Sequence, residues 1–487
     1  MYKMQMSGVK RRRQKFSPDS SRVILRFFGP GDQRHQKNIV DRICSFTEEE
    51  CHRILNAVYD HFSDRHKNLD YHLVKNYKRI ESLVDHPEDL SEERRQLLGF
   101  YFTKEYSIES VAFCNPSIIP HPDQGNLPDG SMRVILSFRC IGEEHISSLT
   151  FRSGVIDKNN VFIMDPISQF VETSILEVNP TYKKFAFLMI LKHVLKRNHI
   201  VNHIFEKLPD KFKFDDLNER IQEFLLEHDV TGPDLDTIST IYWIARCNFI
   251  KTFRPETMLS ERVIFPTGQN EIKGIEDARF VRFVHDNGDI RYYATYTAYD
   301  GRNIMPMLLE TQDFLKFEIL SIYGKAVKDK GMALFPRKIN GKYMMISRQD
   351  GENLFIMASD SLHLWDHAQI LARPRFAWEA VQIGNCGSPM ETEQGWLLLT
   401  HGVGPMREYC IGAVLLDLND PSKIIGQLHE PLMIPNEYER EGYVPNVVYT
   451  CGALIHNDCL VIPYAMSDTS SGMATVPLAD LFNRMEE

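Results

Sequence analysis

Two hydrophobic spacings divide this chain. From Thr47 the pattern is helical: Thr47 and Glu50 have capping-box spacing, and Ile54, Leu55, Val58, Tyr59 and Phe62 share one face. Residues 89–102 read likewise. A second helical block runs from about Pro180 to Phe253, where Phe214, Leu217, Ile221, Phe224 and Leu225 recur at helical intervals. These stripes are expected to be core faces rather than partner grooves.

Elsewhere the chain is built of short β-rich runs between turn residues. Five stand out: 132–139 (MRVILSFR), 290–297 (IRYYATYT), 343–348 (YMMISR), 396–401 (WLLLTH) and 460–465 (LVIPYA). The last four recur roughly every 50 to 65 residues, close to the ~50-residue period of propeller blades, and the helical block accounts for the longer gap before them. The expected fold is therefore an all-β five-bladed β-propeller with an added α-helical N-terminal region and a helical insertion. A β-sandwich is the alternative. Arg139, Arg348 and His401 each close an apolar strand, as if several blades aimed one polar group at a shared axis. The expected organisation is a flexible basic tail over 1–36, a helical N-terminal region over 37–105, a first propeller segment over 106–178, the insertion over 179–253 and the remaining blades over 254–487.

Composition narrows the function classes. A net charge of -10 in 487 residues argues against a general nucleic-acid binder. The basic run Lys10, Arg11, Arg12, Arg13 and Lys15 reads as a solvated tail, and the absence of an apolar segment after it argues against a signal peptide. The longest apolar run, Phe185 to Leu191, is well short of the ~20 residues a membrane span needs. Nine scattered cysteines without a CxxC pair suit a reducing cytoplasm.

The chemically informative segment is GIEDAR, Gly274 to Arg279. In an extended strand Asp277 and Arg279 point together and Glu276 points away. An acid and a cation then face one pocket, or form a structural ion pair; the hexapeptide alone leaves both open.

With DKGMALFP (Asp329–Pro336), MMISR ending at Arg348, WLLLTHG around His401 and YAMSDT around Asp468, this segment resembles glycoside hydrolase family 130 over nearly all of Asn115 to Leu481. The usual family hexapeptide carries proline where Ala278 stands. The resemblance implies a five-bladed propeller and an inverting β-mannoside phosphorylase. Asp277 is then the general acid, donating its proton to the glycosidic oxygen, through a sugar hydroxyl, while phosphate attacks C1 from the opposite face. Phosphate is already anionic, so the second carboxylate of an inverting hydrolase is dispensable and a cationic cradle takes its place. The resemblance assigns that cradle to Arg279, Lys330, Arg348 and His401, with Tyr409 near phosphate or sugar. Asn115 and Asp468 match mannosyl-contacting positions, and Arg302 and Asn303 in YDGRN are secondary substrate-binding candidates. Each has a bland reading: solvated cations, a core histidine, a packed tyrosine, or turn residues at Asn115 and Asp468.

No phosphate loop, HExxH or dinucleotide fingerprint occurs, and His363 and His367 have no partner cluster in sequence, so no metal or cofactor is expected. Phosphate is a co-substrate, and the expected partners are phosphate and a β-mannoside oligosaccharide, with β-1,2-mannobiose or β-1,2-oligomannosides leading and α-mannose 1-phosphate as product. No nucleic acid or membrane partner is expected; the helical regions are the candidate surface for a homo-oligomer. The alternatives are a β-mannosidase on the same scaffold, a mannosyl-glucose phosphorylase and a non-catalytic glycan-binding propeller.

Overall fold

All five apolar runs form strands, and each belongs to a different antiparallel group. They are Met132–Ile141, Ile290–Tyr299, Tyr343–Ser347, Trp396–Val403 and Cys459–Met466 in the computed structural model, which describes residues 8–177, 181–195 and 199–486. Each pairs with a first strand of its own: Ala112–Pro120, Gly274–Val284, Ala333–Leu334, Gln382–Asn385 and Val448–Tyr449. The first two groups join into one twelve-stranded sheet only through a parallel pair at Gly274 and Ser147. With the four-, six- and five-stranded sheets, this makes five groups, here sheets 1 to 5 in chain order.

The reason these runs carry apolar residues at nearly every position lies in how the sheets stack. Along Trp396–Val403, Leu397 and Leu399 enter a core shared with Leu460, Ile462 and Val476 of sheet 5, whereas Trp396 and Leu398 enter one shared with Phe335, Ile346 and Ile356 of sheet 3. Successive side chains of a strand leave by opposite faces, so one strand feeds two cores. Three further cores pair sheet 1 with 2, 2 with 3, and 5 with 1, closing the ring.

The basic segment expected to be a tail is built into this ring. Lys10–Phe16 is a strand pairing antiparallel with Ser470–Pro477 at the edge of sheet 5. Arg11 binds both oxygens of Glu439 (Nε–Oε1 2.7 Å, Nη2–Oε2 2.9 Å) and donates to the Ile434 carbonyl, while Phe16 packs on Phe138. Charge pattern suggested solvent; an unfilled sheet edge and a buried carboxylate instead supplied partners. Arg22 is likewise buried against Glu109. Residues 1–7 lie outside the described residues.

Helices α1 (Gln33–Cys44), α2 (Glu48–Phe62), α3 (Leu69–Lys78) and α4 (Glu92–Tyr101) follow, with their own core around Val40, Leu55, Tyr77, Leu97 and Phe102. The Thr47–Glu50 capping box starts α2. Arg94 donates to the carbonyls of Ile43 and Cys44 in the last turn of α1 and of Phe46 just beyond it, tying the end of α1 to α4. The later helices α5 (Lys184–Val194), α6 (His199–Glu206), α7 (Phe214–Glu227) and α8 (Gly232–Arg246) bury Leu217, Ile221 and Phe224, three of the five residues in the expected stripe. They leave and re-enter sheet 2 through the paired strands Ile175–Glu177 and Phe249–Thr252, which explains how a long excursion closes on itself. Pro180, the expected start of that block, lies outside the described residues. Strand Arg262–Ile264 crosses back to sheet 1, so the groups are not strictly consecutive along the chain.

Candidate active site

Strands and turns of all five sheets converge on one cavity of about 250 Å³. It is lined by Asn115 (sheet 1), Asp277 and Arg279 (sheet 2), Lys330 and Arg348 (sheet 3), His401 and Tyr409 (sheet 4) and Asp468 (sheet 5). Residues far apart in sequence, each the expected member of its motif, are thereby brought together. Glu276, Arg139, Asn385, Arg407 and Tyr449 also line it.

The backbone is unusual where these side chains are presented. Asn115, Asp277 and Asp468 have φ of 49°, 53° and 50°, left-handed values that non-glycine residues rarely adopt. At Asn115 and Asp277 the ladders with the neighbouring strands slip, between Cys114 and Ser117 and between Glu276 and Arg279. The bulge in sheet 2 breaks the two-residue alternation, and this corrects the expectation that Glu276 points away: Glu276, Asp277 and Arg279 all reach the cavity. Strain of this kind persists only where the surroundings over-determine it, and it gathers at functional sites.

Asp277 is held by Asn115 Nδ2, which donates to Oδ1 at 2.7 Å, and by Arg139 Nη1 at 3.6 Å and Arg279 Nη2 at 3.9 Å. Burial pushes its carboxyl up, but Arg139, Arg279, the Asn115 hydrogen bond and Lys330 together outweigh burial and hold it below the ordinary value. Asp468 goes the other way: burial, with Asp277 and Glu276 nearby, raises it to about 6 against the pull of Arg139 and Arg407. In the ligand-free protein Asp277 is thus the ionised carboxyl and Asp468 the one that takes up a proton nearer neutrality.

The cations do not stand alone. Glu276 bridges Arg139 (2.8 Å) and Lys330 (2.9 Å), Arg348 meets Asp329 at 3.2 Å, and Arg279 donates to the Tyr449 hydroxyl at 2.6 Å. Four guanidinium groups and one ammonium nevertheless line the same cavity as three carboxyls. His401, expected in the cationic cradle, is not a cation: burial, then Arg348 and Arg279, drive its pKa down to about 3, so the ring is neutral and offers only hydrogen bonding. It lies parallel to Tyr409 (5.8 Å, 13°) and edge-on to Tyr449, and faces Gly384, where an added Cβ would sit 2.4 Å from its Cε1.

Buried side-chain atoms without a hydrogen-bond partner collect here: Asn115 Oδ1, Arg139 Nε, Arg279 Nε, Asn385 Oδ1 and His401 Nδ1. Most buried polar groups are satisfied, so such a cluster in one cavity marks a surface built for a polar ligand.

The structure does not bring Arg302 and Asn303 to this cavity. Both are exposed in a turn where Asp300 Oδ1 accepts their backbone N–H groups, and the Asp300 carboxylate also holds the Asn303 amide; the YDGRN polarity serves the turn. Arg139 carried the same strand-closing signal as Arg348 and His401, but Asn385 and Tyr449 lie on first strands of only four and two residues, too short to show periodicity. Among the described residues, two groupings offer three metal-ligand atoms, His203–Glu227–His228 and His86–Glu88–Asp89, and neither lines the cavity.

Residues 252–487 match the profile of glycoside hydrolase family 130, described as beta-1,4-mannooligosaccharide phosphorylase. The chain is 35% identical over 228 residues to a 1,2-beta-oligomannan phosphorylase of Thermoanaerobacter sp. (strain X514), covering 46% of this chain and 75% of the relative. It is 36% identical over 219 residues to a beta-1,2-mannobiose phosphorylase of the same organism, covering 42% and 68%. Among solved structures, a beta-1,2-mannobiose phosphorylase from Listeria innocua aligns with a TM-score of 0.45 and 22% identity, covering 78% of this chain and 92% of that one.

Proposed function

The chain belongs to glycoside hydrolase family 130, and from that premise we propose that it is an inverting β-mannoside phosphorylase acting on β-1,2-mannobiose or β-1,2-oligomannosides. The observation that carries this reading is the convergence of Asp277 with Arg139, Arg279, Lys330 and Arg348 in one cavity. Phosphate needs charge and directed donors; guanidinium forks and an ammonium supply both.

In the proposed reaction phosphate displaces part of the Glu276 and Asp329 ion pairing and attacks the mannosyl C1. The bond from C1 to the leaving oxygen breaks on the opposite face, and the Asp277 proton passes to that oxygen, through a sugar hydroxyl. The products are α-mannose 1-phosphate and a shortened mannoside. The low pKa of Asp277 suits the order of events: phosphate neutralises the cations that depress it, so the carboxyl becomes a proton donor once its co-substrate is bound. His401, neutral, and Tyr409 serve as hydrogen-bonding groups beside the phosphate, and Asn115 and Asp468 contact the mannosyl hydroxyls.

A five-bladed propeller accounts for the ring of five cores and for residues of all five sheets meeting at the cavity. A reducing, cytoplasmic setting agrees with nine unpaired cysteines. Among the described residues no helix is long and apolar enough to cross a membrane.

The test is product analysis on β-1,2-mannobiose with and without phosphate, read by 31P NMR. Phosphate-dependent α-mannose 1-phosphate supports the reading; equal release of free mannose in both conditions overturns it in favour of a β-mannosidase, for which Asp468 is the carboxyl available as base.

A further inference from the structure

Two hairpins, one carrying the cavity-lining Arg407 and the other packed through His145 on Tyr443, share one strained shape. Gly142–Ile146 joins the second and third strands of sheet 1, and Gly404–Glu408 does the same in sheet 4. In each, the glycine N–H donates to the carbonyl four residues on, at 3.1 and 3.0 Å, and that residue's N–H donates back to the residue after the glycine, at 3.2 Å in both. In each, two successive non-glycine residues are left-handed: Glu144 and His145 (φ 57° and 56°), Met406 and Arg407 (φ 58° and 57°). Glycine or asparagine would hold these positions with less strain. That the second position carries histidine in one hairpin and arginine in the other points to a use for the side chains rather than for the turn.

Both side chains meet aromatic rings beside the cavity. Arg407 lines it, with Cζ 5.3 Å from the centre of the Tyr409 ring. His145 lies nearly parallel to Tyr443, 5.8 Å between ring centres and 25° apart. Tyr443 is 51% exposed, yet its backbone is fixed: its N–H donates to Thr469 Oγ1 at 2.8 Å and that of Val444 to the Ser467 carbonyl at 3.0 Å, on both sides of Asp468. Arg11 and Tyr464 hold Glu439 in the same loop. The result is a half-exposed aromatic face on an immobilised loop whose next residue, Val444, lines the cavity together with Arg407, and among the described residues Arg407 has no carboxylate within ion-pair distance.

We propose that Tyr443, His145 and Arg407 form the subsite for the leaving sugar, a neutral hexopyranose, with Tyr443 as its stacking face and Arg407 as hydroxyl donor. This rests on the phosphorylase reading above. Arg279, which is suited to phosphate, lies deep at 3% exposed, so the sugar that departs is the outward one and crosses this side of the cavity. An amphipathic ring with one polar tip fits a pyranose, which offers a C–H face and a hydroxyl edge.

The test is synthesis from α-mannose 1-phosphate and mannose, comparing the full-length protein with Tyr443→Ala, Arg407→Gly and His145→Gly. For Tyr443→Ala and Arg407→Gly the KM for mannose rises about tenfold while that for α-mannose 1-phosphate stays within about twofold. The two glycine variants keep or raise their Tm, because glycine relieves the left-handed strain; loss of acceptor binding in a variant at least as stable as the parent excludes misfolding. An unchanged KM for mannose, or equal rises for donor and acceptor, overturns the subsite alone. A wild-type protein that releases no phosphate with any mannoside acceptor overturns the phosphorylase reading and the subsite with it.

Discussion

Replacing Asp468 by asparagine should make the protein more stable, and increasingly so as pH rises. The carboxyl is pushed from its ordinary 3.8 to about 6, first by burial and then by Asp277 and Glu276, with Arg139 and Arg407 opposing. A raised pKa means that the folded state binds this proton more tightly than the unfolded chain, so the stabilising contribution is full below 3.8 and is lost as pH rises through about 6. A gap of about two pKa units corresponds to roughly 2–3 kcal/mol against the folded state at pH 8. Asparagine keeps the shape and removes the charge. Urea unfolding followed by tryptophan fluorescence in phosphate-free buffer should therefore show Asp468→Asn more stable by about 2–3 kcal/mol at pH 8, with the difference shrinking to about 1 kcal/mol near pH 4.5. Mannoside KM should rise in the same variant. No gain at pH 8, or a gain equal at both pH values, refutes the claim that this carboxylate is ionised against the preference of its surroundings.

Other perturbations separate the roles within the cavity. Asp277→Asn should lower kcat by about 10²–10⁴-fold with phosphate saturating, as expected for loss of proton donation, and initial rates would show it. Lys330→Ala and Arg348→Ala should raise the phosphate KM about tenfold or more with a smaller effect on the mannoside KM; equal effects on both substrates contradict a phosphate-binding role. Arg302→Ala should leave both constants unchanged, since the side chain is exposed in a turn that does not line the cavity. Leu398→Ala, deleting a fully buried side chain between sheets 3 and 4, should cost about 2–5 kcal/mol in urea unfolding without altering KM in the protein that remains folded.

Much of the site was legible because its motifs are local. GIEDAR, DKGMALFP, MMISR, WLLLTHG and YAMSDT each deliver a residue to the cavity, and the five apolar runs mark a strand in each of the five sheets, since strand side chains repeat every two residues whatever the sheet later packs against. Three things lay beyond that reach. Whether Glu276 faces in or out is set by a bulge against Ile290–Tyr299, a feature of two strands rather than one. Lys10 to Lys15 looked like a solvated tail because its acceptors, Glu439 and the edge strand Ser470–Pro477, lie more than four hundred residues away. The protonation of Asp277, Asp468 and His401 depends on which charges gather around each, and the same side-chain type is driven in opposite directions within one cavity. Sequence alone determined which residues could do the chemistry; folding decided their charge and orientation, because electrostatics and strand register depend on neighbours distant in the chain.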